Sequence, residues 1–342
     1  MKRLFALAGA AFLAAGLAGG AQAQTELTFS TWVPTSHTLV TYGFVPWFQE
    51  VEKATGGKLK FRVLPKPVAA PNQHYDAVVK GQVDVAYATY GYQPERFMPY
   101  LIAELPQLGE TAVDNGVALW RIHKKYYEKL AIHKDVHLIG VMTHGPGMMH
   151  HTQKPIMTPA DLKGQKIRVG GDVPKAIVEH FGGVVITQPA PKSYEILSQG
   201  IADGIFFPGE SLRSFNITKL VPHTTYVKGG LYSSSFWFGI NKAVYEKLPA
   251  DVKEVLDKMG GEAFARFMGE KSWDRADAES LALAKENKNT FQHAAPELVA
   301  ELSKLTAKLE ADYAAQLDKL GLPGKQVIAD FRAEVAKVAA GK

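Results

Sequence analysis

Short apolar runs typical of strands alternate with longer segments of helical periodicity between residues 25 and 210. The helix predicted at 38–54 shows the helical pattern, because Phe44, Trp47 and Val51 fall on one face and glycines follow. A repeated order of strand, helix and strand is the pattern of a sheet with crossover helices. The strands are predicted at 27–30, 59–64, 83–88, 137–142, 167–169, 184–187 and 204–207, and the helices at 38–54, 72–80, 111–130, 158–163, 175–181 and 194–198.

This alternation forms two α/β units of similar size that follow one another along the chain. From about 253 to 320 the chain is predicted to be nearly all helical, with apolar residues at helical spacing among Lys, Glu and Ala. A coiled coil is an alternative for this stretch, but its heptads are not sustained. The sequence therefore predicts an α/β fold with two sheets, each flanked by helices.

The N-terminus has the features of a secretory signal peptide. Lys2 and Arg3 precede an apolar run at 4–17, and Ala21-Gln22-Ala23 has the form that a signal peptidase cleaves. A membrane anchor is the alternative, but the run is short for a hydrocarbon layer of ~30 Å. No later segment is apolar enough to span a membrane. We expect a mature chain that starts at Gln24, is located in the periplasm and has no stable membrane insertion.

Composition and charge exclude several classes of protein. The chain has 342 residues, of which 46% are hydrophobic and 21% charged, so a packed core in two domains or one large domain is expected. The absence of Cys excludes disulfides, a thiolate metal site and a Cys nucleophile, and together with export it favours a bacterial periplasm. The net charge of +5 is spread without a basic run, so no nucleic-acid partner is predicted.

Motifs of catalysis are missing from the sequence. There is no G-x-S-x-G, P-loop or G-x-G-x-x-G pattern, and Gly145-Pro146-Gly147 is not a phosphate-binding loop. Paired carboxylates cannot be recognised without distances. A periplasmic hydrolase or lyase therefore stays open as an alternative, while the prediction is a protein that is not an enzyme.

A group of histidines suggests a metal-binding receptor as a further alternative. His133 and His137 are four residues apart, and His144, His150 and His151 follow. No carboxylate cluster accompanies them, and the region is predicted as turn and strand rather than as a helix with one metal-binding face. Ordinary hydrogen-bonding histidines are the favoured interpretation, and no metal or cofactor is predicted.

Four segments carry a resemblance to a known family. They are GQVDVA at 81–86, TPADLKGQKIRV at 158–169, SYEILSQGIADGIFFP at 193–208 and INKAVYEKLP at 240–249. In this order behind a signal peptide, they make the chain similar to the solute-binding proteins of tripartite ATP-independent periplasmic (TRAP) transporters, of the DctP type.

The resemblance implies a two-domain clamshell of the periplasmic-binding-protein kind, with a long connecting helix. Such a receptor binds an organic acid in the cleft, closes, and delivers it to the TRAP permease subunits in the membrane. A binding protein of an ATP-driven importer is the nearest alternative. The implied division is a signal peptide at 1–23, domain I at 24–147 plus 234–273, and domain II with the C-terminal helices at 148–233 plus 274–342.

Arg168 is the residue with the clearest implied role. Taken alone, an Arg on a short apolar strand is more often a structural or edge residue. The resemblance implies instead that this Arg of the KIRV segment binds the ligand carboxylate, which a planar guanidinium matches with two parallel hydrogen bonds.

Two sequence differences from other family members predict the chemistry of the ligand body beyond its carboxylate. Met148 falls where some receptors for polar sugar acids carry a second Arg, and Phe206-Phe207 replaces a pair that includes a Glu able to help hold a metal ion. Trp32 follows the first strand, and Thr89 with Tyr90 ends the third. These residues are predicted to give the cleft an apolar and aromatic surface. The expected ligand is a monocarboxylate with an apolar or aromatic body.

Overall fold

The computed structural model describes residues 24–342, and the predicted signal peptide at 1–23 lies outside the described residues. Its strands are β1 (Thr25–Ser30), β2 (Leu59–Val63), β3 (Val85–Thr89), β4 (Val136–Thr143), β5 (Met148–His151), β6 (Lys166–Val169), β7 (Val184–Thr187), β8 (Gly204–Phe207), β9 (His223–Tyr226), β10 (Ser235–Asn241) and β11 (Thr290–His293).

The α-helices lie between and after these strands. They are α1 (Val45–Ala54), α2 (His74–Val79), α3 (Pro94–Phe97), α4 (Ala112–Ile122), α5 (Pro159–Leu162), α6 (Asp172–His180), α7 (Ser193–Ser198), α8 (Glu210–Ser214), α9 (Lys242–Glu246), α10 (Ala250–Met259), α11 (Gly261–Phe267), α12 (Arg275–Glu286), α13 (Pro296–Lys319) and α14 (Gly324–Ala339). Wider π-helical turns occupy Leu39–Phe44, His123–Tyr127 and Met268–Asp274, and 3-10 turns occupy Pro71–Gln73, Tyr90–Tyr92, Met98–Glu104, Glu128–Leu130 and Ala190–Lys192.

The first lobe is built on a five-stranded sheet in the order β2-β1-β3-β10-β4. β1 pairs in parallel with β2 and β3, whereas β10 inserts antiparallel between β3 and β4. The apolar face predicted for the helix at 38–54 packs on this sheet, where the rings of Phe44 and Phe238 lie 5.1 Å apart. Burial of this face, including the fully buried Trp47, fixes the helix against the sheet.

The second lobe is built on a six-stranded sheet in the order β11-β9-β5-β8-β6-β7. β6 pairs in parallel with both β7 and β8, and β5 runs antiparallel to β8 and β9. The core on one face contains Met149, Phe206 and Leu298. The prediction of an α/β fold with two sheets flanked by helices is confirmed.

Three chain segments cross between the lobes, at 144–147, at 227–234 and through the continuous helical stretch 261–286. The first two are hydrogen-bonded to each other, with the Gly147 amide donating to the Tyr232 carbonyl at 2.8 Å. A methyl group at Gly145 would collide with Oδ2 of Asp277, so the absence of a side chain at Gly145 favours this close approach. The Gly-Pro-Gly segment is thus a tightly packed connection between the lobes.

The C-terminal helix α14 packs on the first lobe. Its Phe331 is fully buried among Tyr100 and Leu119, and it lies against α4. The division stated above grouped 274–342 with the second domain, whereas the structure places this last helix with the first lobe. The apolar face of α14 is visible in the sequence, but the pattern does not specify which lobe it covers.

Candidate ligand-binding site

A cavity lies between the lobes, and residues of both lobes line it. Several of its lining residues come within three residues after the end of a strand. In α/β sheets, the carboxyl ends of strands are where loops gather and ligands bind. Both lobes therefore present their functional edges to the same space. Among these residues are Trp32 after β1, Tyr92 after β3, Gly170 after β6, Ala190 after β7 and Glu210 after β8.

Arg168 lines this cavity from the middle of the second lobe. Its side chain is 1% exposed, and its Nε and Nη2 atoms donate hydrogen bonds to the Gln188 carbonyl at 2.9 and 2.6 Å. Its guanidinium carbon lies 4.6 Å from the centre of the Phe207 ring, which is a cation–π arrangement. Gly170 leaves room beside the guanidinium, because a methyl group there would come within 3.1 Å of Nη2.

The charge of Arg168 has no protein counter-charge. Among residues 24–342, no carboxylate forms an ion pair with it; the guanidinium donates to the neutral Gln188 carbonyl and also faces the Tyr92 hydroxyl. Burial lowers the pKa of Arg168, and the hydroxyls of Tyr92 and Tyr232 only partly oppose this effect. A buried cation in this state is costly unless it acquires an anionic partner. The site is therefore built for an anion.

Aromatic side chains from both lobes line the cavity around Arg168. Phe207 stacks on Phe215 with ring centres 5.3 Å apart, and Phe236 stacks on Trp273 at 5.5 Å. The wide π-helical turn that precedes α12 carries Trp273. These surfaces suit a flat apolar ligand body. The aromatic lining consists of Trp32, Tyr92, Phe207, Phe215, Tyr232, Phe236 and Trp273.

Contacts across the cavity join the two lobes on the side of His37. Thr38 of the first lobe donates through Oγ1 to Oε1 of Glu210 at 2.6 Å, and Nε2 of His37 lies 3.4 Å from the same oxygen. Burial lowers the pKa of His37, although the Glu210 charge opposes this. These contacts describe a closed arrangement of the lobes around the cavity.

A second buried acid, Glu104, also lies where the lobes meet. It belongs to the first lobe and is 2% exposed, and a methyl group at Gly171 of the second lobe would lie 3.3 Å from its Oε2. Burial raises the pKa of Glu104 to about 8, against the lowering effect of hydrogen bonds from Ser235 and with a further rise from the charge of Asp172. This carboxyl is therefore sensitive to whether the second lobe covers it.

The histidine group does not assemble into a metal site. Burial lowers the pKa of His133 to about 3 and that of His144 and His150 to about 4. Each of these three histidines has a hydrogen-bond partner that is not a metal ligand cluster. For example, Oγ1 of Thr224 lies 2.9 Å from Nδ1 of His150. In residues 24–342 there is no cluster of three or more potential metal ligands.

Four of the seven predicted site residues line the cavity, namely Arg168, Phe207, Trp32 and Thr89. Phe206 does not, because neighbouring residues on a strand point to opposite faces and its ring packs in the second-lobe core.

The other two predicted residues also lie away from the cavity. Met148 pairs with Phe207 in the sheet without reaching the cavity lining. Tyr90 stacks on Tyr100 in the first-lobe core at 4.3 Å, and its hydroxyl lies 3.0 Å from Nε2 of His133. Two residues further along, Tyr92 reaches the cavity instead.

Several cavity residues were missed by the sequence analysis. Glu210 and Tyr92 lie three residues after the ends of strands β8 and β3, so the rule that ligands bind at the carboxyl ends of strands could have found them. Tyr232 and Trp273 lie on segments that cross between the lobes. No local pattern in the sequence indicates that these segments border a ligand cavity.

Comparison with known proteins identifies the family. Residues 29–319 match the DctP family, described as bacterial extracellular solute-binding protein, family 7. The chain belongs to this family. As a DctP-family protein it is a solute-binding receptor rather than an enzyme and is extracytoplasmic, which confirms the predicted class and the predicted periplasmic localisation. Within the described part of the chain, none of the helices is long and apolar enough to cross a membrane.

Solved structures of TRAP solute-binding proteins are similar over nearly the whole chain. A protein from Bordetella bronchiseptica with bound (R)- and (S)-mandelate is 37% identical, with 92% of this chain and 99% of that chain covered and a TM-score of 0.88. A protein from Rhodoferax ferrireducens with copurified benzoate is 27% identical, with coverage of 93% and 99% and a TM-score of 0.86. A marine metagenome protein specific for aromatic acids, in complex with 3-hydroxybenzoate, is 30% identical, with coverage of 92% and 99% and a TM-score of 0.85.

Proposed function

We propose that this DctP-family protein is the receptor for an aromatic monocarboxylate and presents it to a TRAP permease for uptake. The observation that carries the proposal is Arg168, a buried guanidinium without a protein counter-charge in a cavity whose lining includes seven Trp, Tyr and Phe side chains. A carboxylate would supply the missing negative charge, and a ring would fill the space beside Phe207.

The proposed binding mechanism follows from the lobe to which each group belongs. The carboxylate pairs with Arg168 on the second lobe, while the body of the ligand contacts Trp32 of the first lobe and Phe207 of the second. A ligand that touches both lobes stabilises the closed arrangement relative to an open one. The closed protein is then the form that the permease receives.

The similar proteins support the same ligand class. The three structures described above contain mandelate, benzoate and 3-hydroxybenzoate, each of which combines one carboxylate with one aromatic ring. A single buried Arg and the stacked rings of the lining match such molecules in charge and in aromatic character. A sugar acid would leave several hydroxyl groups without partners on the aromatic surface.

Calorimetric titration with four small molecules tests this proposal. We expect benzoate and mandelate to bind, while benzamide, which has the ring without the charge, and glycolate, which has the charge without the ring, bind much more weakly. Release of unchanged benzoate after denaturation is expected of a receptor and would exclude a hydrolase or lyase. Equal affinity for benzamide and benzoate, or tighter binding of glycolate, would contradict the proposed ligand class.

The Phe207→Asn variant separates the two halves of the proposed site. Loss of the buried ring removes apolar contact worth about 1.5–3 kcal/mol, so benzoate affinity should fall roughly 10- to 150-fold. Glycolate affinity should change little, because its carboxylate still meets Arg168. Parallel titrations of both acids, after circular dichroism shows a folded variant, give the comparison. Equal losses for the two acids would show that Phe207 supports Arg168 rather than contacting the ring.

A further inference from the structure

Tyr92 lies where the two lobes meet, and its hydroxyl group has an unusual set of hydrogen-bonding neighbours. It belongs to the turn that follows β3 in the first lobe, and it lines the cavity. Its hydroxyl oxygen accepts a hydrogen bond from the backbone amide of Ala190, in the second lobe, at 3.1 Å. Its ring packs edge-on against Trp32 with centres 5.7 Å apart, which fixes its direction.

The second neighbour of this hydroxyl is also a hydrogen-bond donor. The Tyr92 hydroxyl lies beside the guanidinium of Arg168 and favours its charged form. A guanidinium has five N–H donors and no acceptor, and a backbone amide is likewise only a donor. The oxygen of Tyr92 therefore faces two donors, and neither can accept its proton. Among residues 24–342, no group accepts a hydrogen bond from this hydroxyl.

We propose that the Tyr92 hydroxyl donates its proton to the carboxylate of the bound ligand and so forms the first-lobe half of the carboxylate site. The inference rests on the function proposed above and adds a specificity-determining residue to it. Arg168 binds the anion from the second lobe, and Tyr92 binds it from the first. A hydrogen bond from O–H to a carboxylate is short and charge-assisted, so the anion itself links the lobes.

Tyr232 provides a matched comparison within the same chain. Its hydroxyl also lies near Arg168, but it donates to the Phe206 carbonyl at 2.9 Å. Its proton is therefore already used inside the second lobe. The two tyrosines beside this guanidinium thus differ in whether the hydroxyl proton has an acceptor in the protein.

The first measurement is calorimetric titration of benzoate into the wild type and the variants Tyr92→Phe and Tyr232→Phe. We expect Tyr92→Phe to lower the affinity roughly 10- to 150-fold, the range for a hydrogen bond to a charged group. Tyr232→Phe should have a smaller effect on affinity and a larger one on thermal stability, because it leaves the Phe206 carbonyl without its donor. Wild-type affinity in Tyr92→Phe would overturn the inference.

A second measurement distinguishes donation to the ligand from acceptance of the Ala190 amide. 3-Fluorotyrosine at position 92 makes the phenol a better donor and a poorer acceptor. Benzoate should then bind more tightly than to the wild type, whereas 3-fluorotyrosine at position 232 should not tighten binding. Weaker binding with the fluorinated residue at 92 would assign Tyr92 only a lobe-bridging role and overturn the inference while benzoate still binds. Failure of the wild type to bind benzoate would instead overturn the proposed function, and the inference with it.

Discussion

Arg168→Ala should weaken benzoate binding roughly 30- to 5,000-fold, because a buried carboxylate that loses its charged partner costs about 2–5 kcal/mol. The ligand-free variant should lose much less thermal stability than this loss of affinity would suggest, because the substitution also removes a buried cation that has no counter-charge. Arg168→Lys should restore only part of the affinity, because an ammonium lacks the planar pair of donors. Calorimetric titration and thermal unfolding of each variant measure the two effects separately.

Lys166→Ala is the matched control for charge. Lys166 lies on the same strand β6, but its side chain is 44% exposed and close to Asp203. The Lys166→Ala substitution removes one positive charge without changing the cavity lining. Benzoate affinity should therefore stay within about twofold of the wild-type value, as expected for a screened surface charge. A folded Arg168→Ala protein that binds benzoate as tightly as the wild type would show that the anion is bound elsewhere.

Benzoate affinity should also rise as the pH falls, through the buried carboxyl of Glu104. In the closed arrangement burial raises the pKa of Glu104 to about 8. Opening removes the burial and the Asp172 charge that the second lobe supplies, so the pKa falls toward the ordinary value of 4.5. Between the two pKa values the closed form binds more protons than the open form, so closure takes up protons. Affinity should therefore increase by up to about tenfold for each pH unit below about 8.

Other titratable groups near the lobe contact limit the range of this effect. Asp172 faces Glu104 from the second lobe, and burial raises the pKa of the neighbouring Tyr232 and Tyr313, which keeps both phenols neutral. His37 has the opposite linkage: burial lowers its pKa, so closure releases a proton once the pH falls below 6.5, the ordinary value for histidine. The rise in affinity should therefore flatten below this pH.

The variant Glu104→Gln isolates the contribution of this carboxyl. It keeps the shape and the acceptor for Ser235 but cannot titrate, so benzoate affinity should be nearly independent of pH between about 6.5 and 8.5. Glu95→Gln, which changes an exposed acid of the same lobe, should keep the wild-type slope. Titrations across this pH range test the linkage. The same slope in wild type and Glu104→Gln would assign the pH dependence to another group.

The repeated order of strands and helices was sufficient to predict the α/β class and most elements of both sheets. β7 and β8 have the predicted bounds, because each is a short apolar run between clear turn signals. The antiparallel strands β5, β9 and β10 were not predicted. They belong to or adjoin the segments that cross between lobes, where pairing partners are distant in sequence and local periodicity is short.

The candidate site was predicted less completely than the fold. Arg168 and Phe207 came from a resemblance to a family and from their place on short strands, and the cavity contains both. Tyr90 was predicted to line the cleft and Tyr92 was not, because the sequence does not show how the turn after β3 rotates successive side chains. Tyr232 and Trp273 lie on crossing segments, and their approach to the cavity depends on the packing of both lobes together.

A crystal structure of the protein with benzoate tests the central claim most directly. The account predicts the ring against Phe207 and the carboxylate between the lobes, with oxygens at about 2.7–2.9 Å from the Arg168 guanidinium and about 2.5–2.7 Å from the Tyr92 hydroxyl. Benzoate outside this cavity, or inside it with its carboxylate directed away from Arg168, would contradict the account.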